Sequence, residues 1–258
     1  MPFELINMEI DKIAGPLRKV LREREIIARC ELLLRTYDIV RAADLSEEER
    51  EELQKTVGKK IAPGVFVSIM SKEPAFFDLP RLDTFTQMDG RIFHFLHTKK
   101  YSKQDFAEAN RKFLNSMPEL RRIMYQSLKE LLVGFMSDAG YRLTSEENGE
   151  LVFGAPERKA RAFVATSVRS LDIDKCRGEQ GEDVVALVPS GENLEPFVQF
   201  YQENGLKAEE REIQIWVTNM EKGSIDPFVG YTMDLDIYNQ FENPRLAEMV
   251  RSNWSRRK

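Results

Sequence analysis

Histidine and cysteine occur only twice each in these 258 residues, which leaves few soft metal ligands and few thiols. Cys30 and Cys176 lie far apart and make no metal-ligand spacing. Two separate reduced thiols of a cytoplasmic protein are expected, not a disulfide framework or a zinc site. No uncharged apolar run approaches the roughly 18 residues that a membrane helix needs, so no membrane partner is expected. The opening MPFELINMEIDK lacks a basic stretch followed by an apolar one, and no secretory leader is expected from it. The chain also has no Gly-x-Ser-x-Gly elbow, no Walker-type loop and no Cys-x-x-Cys.

What is present is the composition of a globular protein, 42% hydrophobic and 31% charged, with room for one large domain or two ordinary ones. Charge is unevenly shared. Residues 1–139 hold 23 Lys and Arg against 22 Asp and Glu, whereas residues 140–258 hold 15 against 21. An acidic half is a poor footprint for a phosphate backbone. Nucleic-acid binding is therefore expected to be weak, independent of sequence and confined to the first half and the tail. Its candidate contacts are Arg18, Lys19, Arg22 and Arg24, then Arg121, Arg122 and Lys129, then Arg256, Arg257 and Lys258. A protein partner or self-association is the stronger expectation.

The first half reads as helical. Ile26, Ile27, Cys30, Leu33, Leu34 and Tyr37 follow the i, i+3, i+4, i+7 spacing of one buried helix face, and Pro16 is placed at a helix start. Ser46 with Glu49 forms a capping box for a helix that Gly58 ends. Residues 61–101, rich in Pro and aromatics, are read as one short helix and irregular structure, with Phe76, Phe77, Phe85, Phe93 and Phe95 as a small core. Two further helices follow. Ser102 and Asp105 cap the first, and Ser116 with Pro118 opens the second. The second carries one stripe, from Leu120 and Ile123 through Leu128 and Leu132 to Phe135, and stops at Gly140.

After Gly140 strands alternate with helices. Tyr141–Thr144, ELVFG after the Asn148-Gly149 turn, the apolar run ARAFVATSV, DVVALVPS and EIQIWVTN read as strands. Between the last two, LEPFVQFYQENG reads as a helix closed by Gly205. This pattern defines an α+β protein: a helical region over residues 1–115, then an α/β domain over 116–258 with a mixed, partly parallel sheet. Over residues 117–220 the helix ending LLVGFMSDAGY, the hairpin ENGELVFG, the strand AFVATS and the pair DVVALVPS and FVQFYQENGL resemble the restriction-endonuclease-like PD-(D/E)XK superfamily.

That resemblance implies a divalent metal held by two carboxylates beside a lysine that helps activate water. The first acid would fall near ELVFGAP, where Glu150 is the only carboxylate inside the strand. The Glu-x-Lys would fall in ARAFVATSV, which offers Ala165, Thr166 and Ser167, with Lys159 and Arg161 placed before the strand. None of the three supplies a carboxylate oxygen or a cation. The expectation is a degenerate member, a non-catalytic binding or assembly module with no cofactor. The alternative is a Mg²⁺- or Mn²⁺-dependent nuclease drawing its ligands from Glu150, Asp172, Asp174 and Asp183.

Other constellations carry ordinary structural readings. His94 and His97 would share one face of a helix at i, i+3 but are expected as partly exposed, non-ligating residues. Asp234 and Asp236 would share one side of a strand, expected as solvated. Ser190-Gly191 is expected as a helix cap rather than an anion site.

Overall fold

The computed structural model describes residues 2–50, 82–88, 91–147, 149–156, 158–190 and 195–228. Gly58, Phe76, Phe77, the Gly191–Asn193 turn, Asp234, Asp236 and the basic tail lie outside them. Among the described residues the elements run α1 (Pro2–Glu23), β1 (Ile26–Ala28), α2 (Arg29–Ala42), β2 (Leu82–Met88), β3 (Arg91–His97) and α3 (Lys103–Asp138). They continue with β4 (Arg142–Glu147), β5 (Glu150–Ala155), β6 (Arg158–Val164), β7 (Glu182–Pro189), α4 (Glu195–Glu210), β8 (Ile213–Asn219) and β9 (Ser224–Phe228). The protein is α+β, helix-rich at the N-terminal side, with a mixed sheet after α3. No helix among the described residues is long and apolar enough to cross a membrane.

The chain divides into two compact units, residues 1–124 with 220–223, and residues 125–219 with 224–258. In the first unit α2 packs on α1 and on β3. Leu17 and Leu21 of α1, Leu32 and Leu34 of α2, and Phe95 and Leu96 of β3 are buried. The sheet here has the order β1-β3-β2, antiparallel throughout. Two expectations are corrected by it. Residues 82–88 and 91–97 form two paired antiparallel strands, not a short helix with irregular chain, and Ile26–Ala28 pair with β3 instead of joining the helix. Pro16 lies inside α1 instead of starting a helix. The two caps are as expected. Glu49 N–H donates to Ser46 Oγ (3.2 Å) while Ser46 N–H donates to Glu49 (2.7 Å), and Ser102 and Asp105 do the same at the start of α3.

α3 is one 36-residue helix with Pro118 inside it, where the sequence suggests two. A proline in mid-helix removes one backbone bond, and the helix spans that loss. It ends in a Schellman motif. Gly140 has φ +87°, its N–H donates to Ser137 O (2.9 Å), and Tyr141 N–H donates to Met136 O (2.8 Å).

The sheet of the second unit has the order β4-β5-β6-β7-β8-β9. β6, β7 and β8 are parallel neighbours, and the three outer pairings are antiparallel. One face carries Val184, Ala186, Val188, Ile213, Ile215 and Val217, which pack with Phe197, Phe200 and Ala208 of α4. Leu151, Phe153, Ala162, Leu187 and Trp216 are buried on the opposite face, where Phe135 of α3 meets the Trp216 ring edge-on at 5.3 Å. Both faces are covered, as a parallel sheet requires. α4 continues past Gly205 to Glu210, so that glycine is not a stop. β9 extends the sheet by a strand not foreseen from the sequence.

The β6–β7 crossover carries only a 3-10 turn, Val168–Ser170, capped by Ser167. It hugs the sheet at Gly178, where a methyl group would stand 2.6 Å from Val184 Cγ2. Gly178→Ala is expected to cost about 1–3 kcal/mol through overpacking against a stiff β-branched side chain. A lower urea midpoint at unchanged slope would register it, and an unchanged midpoint would mean that the crossover lifts freely off β7.

Candidate functional site

Among the described residues of the second unit, one group of ionisable side chains centres on Arg161. Register explains its assembly. Glu150 of β5 pairs with Phe163 of β6, so Arg161, two residues along, shares its face. Lys159 pairs with Glu182 of β7, which brings that carboxylate to the same face. Arg161 Nη1 donates to Glu150 (3.0 Å), its Nε to Glu182 (2.9 Å), and an Nη2 contact reaches Glu179 of the crossover at 3.4 Å. Glu182 also accepts from the Glu179 N–H (2.9 Å).

The electrostatics follow from these bonds. Hydrogen bonding to Glu182 raises the Arg161 guanidinium above its ordinary range, and partial burial opposes this only in part. Burial alone would raise the Glu182 carboxyl, but the bonds from Arg161 and the Glu179 N–H outweigh it and hold it below the usual range. The Arg161 side chain is 17% exposed and that of Glu182 only 4%. The guanidinium therefore occupies the point where three carboxylates converge.

Sequence placed Lys159 and Arg161 ahead of the strand, and this is corrected. β6 starts at Arg158, so both lie inside it, while Ala165, Thr166 and Ser167 lie beyond its end. Glu150 is where a strand carboxylate was expected. The other three proposed ligands meet different partners. Asp174 accepts from Lys207 (2.5 Å) and from Arg211 Nη2 (2.8 Å), and both hold its carboxyl low. Asp172 pairs with Lys175 at 3.6 Å. Asp183, next to Glu182 in β7, belongs to the other face of the sheet. Among the described residues no three His, Cys, Asp or Glu side chains are placed to hold a metal ion. Glu179 and Glu182 were missed because a parallel register cannot be read from sequence.

A cavity of about 330 Å³ lies along the same crossover, lined by Cys176, Arg177, Gly178 and Arg211. Burial pushes the Cys176 thiol up to about 12, so it stays protonated and is a poor nucleophile. Arg211 Nη1 donates to Ile173 O (2.9 Å), and its charge is spent on Asp174.

In the first unit His97 is buried, not partly exposed. Its Nε2 lies 2.7 Å from Thr84 Oγ1 and its Nδ1 2.6 Å from Lys99 O, so both ring nitrogens have protein partners. Both histidines stand on a strand, where i and i+3 point to opposite faces. Among the candidate phosphate contacts, Arg24 is engaged by the buried Glu31 (3.4 Å) and Lys129 by Glu146 (2.5 Å). Arg18 has interactions of its own. Lys19 and Arg22 on α1, and Arg121 and Arg122 on α3, are exposed and make no ion pair among the described residues.

Residues 108–243, which begin within α3 and run past β9, match the family model for the C-terminal domain of DUF6834, a domain of unknown function. The match covers more than half of the chain, and the chain belongs to this family. No curated protein matches it.

Proposed function

We propose that this chain is a non-catalytic binding or assembly module, built on a nuclease-like α/β domain whose metal chemistry is absent. The observation that carries the proposal is Arg161, whose guanidinium bonds Glu150 and Glu182 and contacts Glu179. A hydrolytic phosphodiester site would hold a divalent cation among carboxylates, with a lysine beside it. Here a fixed organic cation fills that role electrically and exposes no open coordination position. The four alternative nuclease ligands are engaged by different cations or lie on different faces of the sheet, which also favours the binding module. The crossover cysteine is a protonated thiol and supplies no competing chemistry.

The test is a thermal melt with added Mg²⁺ or Mn²⁺. The melting temperature is expected to stay unchanged. A specific site would stabilise the fold by about 2.7 kcal/mol at a hundred times its dissociation constant. A large upward shift that vanishes in Glu150→Ala would establish the metal-dependent nuclease instead.

A further inference from the structure

Two exposed leucines stand on helix faces of opposite charge. Leu114 of α3 is 53% exposed and Leu206 of α4 is 69% exposed. On the Leu114 side of α3, Arg111 lies one turn before it and is paired with Glu108, Pro118 lies one turn after it, and Arg121 and Arg122 follow two turns on, all exposed. Arg121 and Arg122 make no ion pair among the described residues. Around Leu206, at spacings of three and four, lie Glu203, Glu209 and Glu210, also exposed. Their carboxylates meet no cation among the described residues; Glu203 only accepts from Gln199 (3.0 Å). Lys207, the nearest cation in sequence, is turned to Asp174.

We infer that α3 and α4 carry the two halves of one interface, and that the basic Leu114 face of one copy receives the acidic Leu206 face of a second copy. This rests on the assembly reading above and names its partner as the same chain. Each face offers a leucine to desolvate, and the flanking charges that are unpaired among the described residues, Arg121 and Arg122 on α3 against Glu209 and Glu210 on α4, are of opposite sign. Such complementarity selects the partner and speeds encounter. Within one chain the two faces differ, so the contact is head-to-tail, and it builds a ring or an open string of copies unless it closes reciprocally in a pair. Bringing two like faces together would set arginines against arginines, or glutamates against glutamates.

The experiment is sedimentation velocity on the full chain over a range of concentrations, at about 0.1 M and about 1 M salt, where the screening length falls from about 10 to about 3 Å. The wild-type chain is expected to exceed its monomer mass of 29.9 kDa in low salt and to fall back toward it in high salt. Arg121→Glu/Arg122→Glu and Glu209→Lys/Glu210→Lys are each expected to remain monomeric alone. Mixed together they are expected to associate again, because the first variant's intact α4 face meets the second's intact α3 face, and the two altered faces also match. Every changed residue is exposed, and recovery on mixing shows that both variants are folded. A wild-type chain that stays monomeric in low salt overturns the inference. So does a variant that associates as before, or a mixture that does not recover. Any of these leaves the non-catalytic reading standing, since that depends on the metal response and not on mass.

Discussion

Leu128→Ala and Leu132→Ala are each expected to lower the unfolding free energy by about 2–5 kcal/mol. Both side chains are fully buried on α3, within the second unit. They lie on the same helix as Phe135, which meets the Trp216 ring edge-on. An alanine at either position removes three buried carbons and leaves a cavity that a sheet with both faces covered cannot readily close. Thermal or urea unfolding of single variants measures the effect, and the double variant adds a check. The two leucines are one helical turn apart in the same buried stripe, so their costs are expected to depart from additivity. A stability unchanged by both substitutions would mean that α3 does not form part of this core. Domains of this size typically hold only about 5–15 kcal/mol in reserve, so the double variant is expected to be near unfolding.

The helix that carries those leucines was legible because burial on one side prints a periodic stripe. Its length was not. Ser116 and Pro118 mimic a helix start, while in the structure Ser116 Oγ donates back to Lys112 O (3.1 Å) and the helix continues. The β2–β3 hairpin escaped notice for a related reason. LDTFTQM and RIFHFLH alternate around Asp89-Gly90, a hairpin signal that the surrounding prolines and aromatics obscured. β1 is three residues long, too short to show any alternation. In the second unit the apolar run ARAFVATSV suggests a strand reaching Val168, whereas β6 spans Arg158–Val164 and takes in both Lys159 and Arg161. Leu114 and Leu206 illustrate a different limit. An apolar residue in a helix reads as core, and only the structure shows these two facing outward. Gly205 hid Leu206 further by suggesting that α4 had already ended.

Arg161→Ala is expected to cost about 3–5 kcal/mol at neutral pH, somewhat less if water reaches the exposed side of the cluster. The loss lies mainly in what remains. Glu182 is almost fully buried and would keep its charge without the cation that stabilises it. The pH dependence carries the sign. In the wild-type chain the Glu182 carboxyl is held below its ordinary range, so its contribution is complete above about pH 4.3 and is lost as pH falls through the lower folded value. Without Arg161 the bond and the charge that lower this carboxyl are gone while burial stays, so it sits higher than in the wild-type chain and part of the cost disappears as Glu182 takes up a proton. The difference between the two proteins is therefore expected to be largest near pH 7 and to shrink toward pH 4, as read from urea midpoints at both values. Arg161→Lys is expected to recover only part of the loss, because an ammonium keeps the charge but cannot form the paired bonds to Glu150 and Glu182. An Arg161→Ala protein that unfolds like wild type at both pH values would reduce the cluster to a solvated surface pairing and remove the main support for reading this domain as a nuclease-like fold with an internal cation in place of a metal.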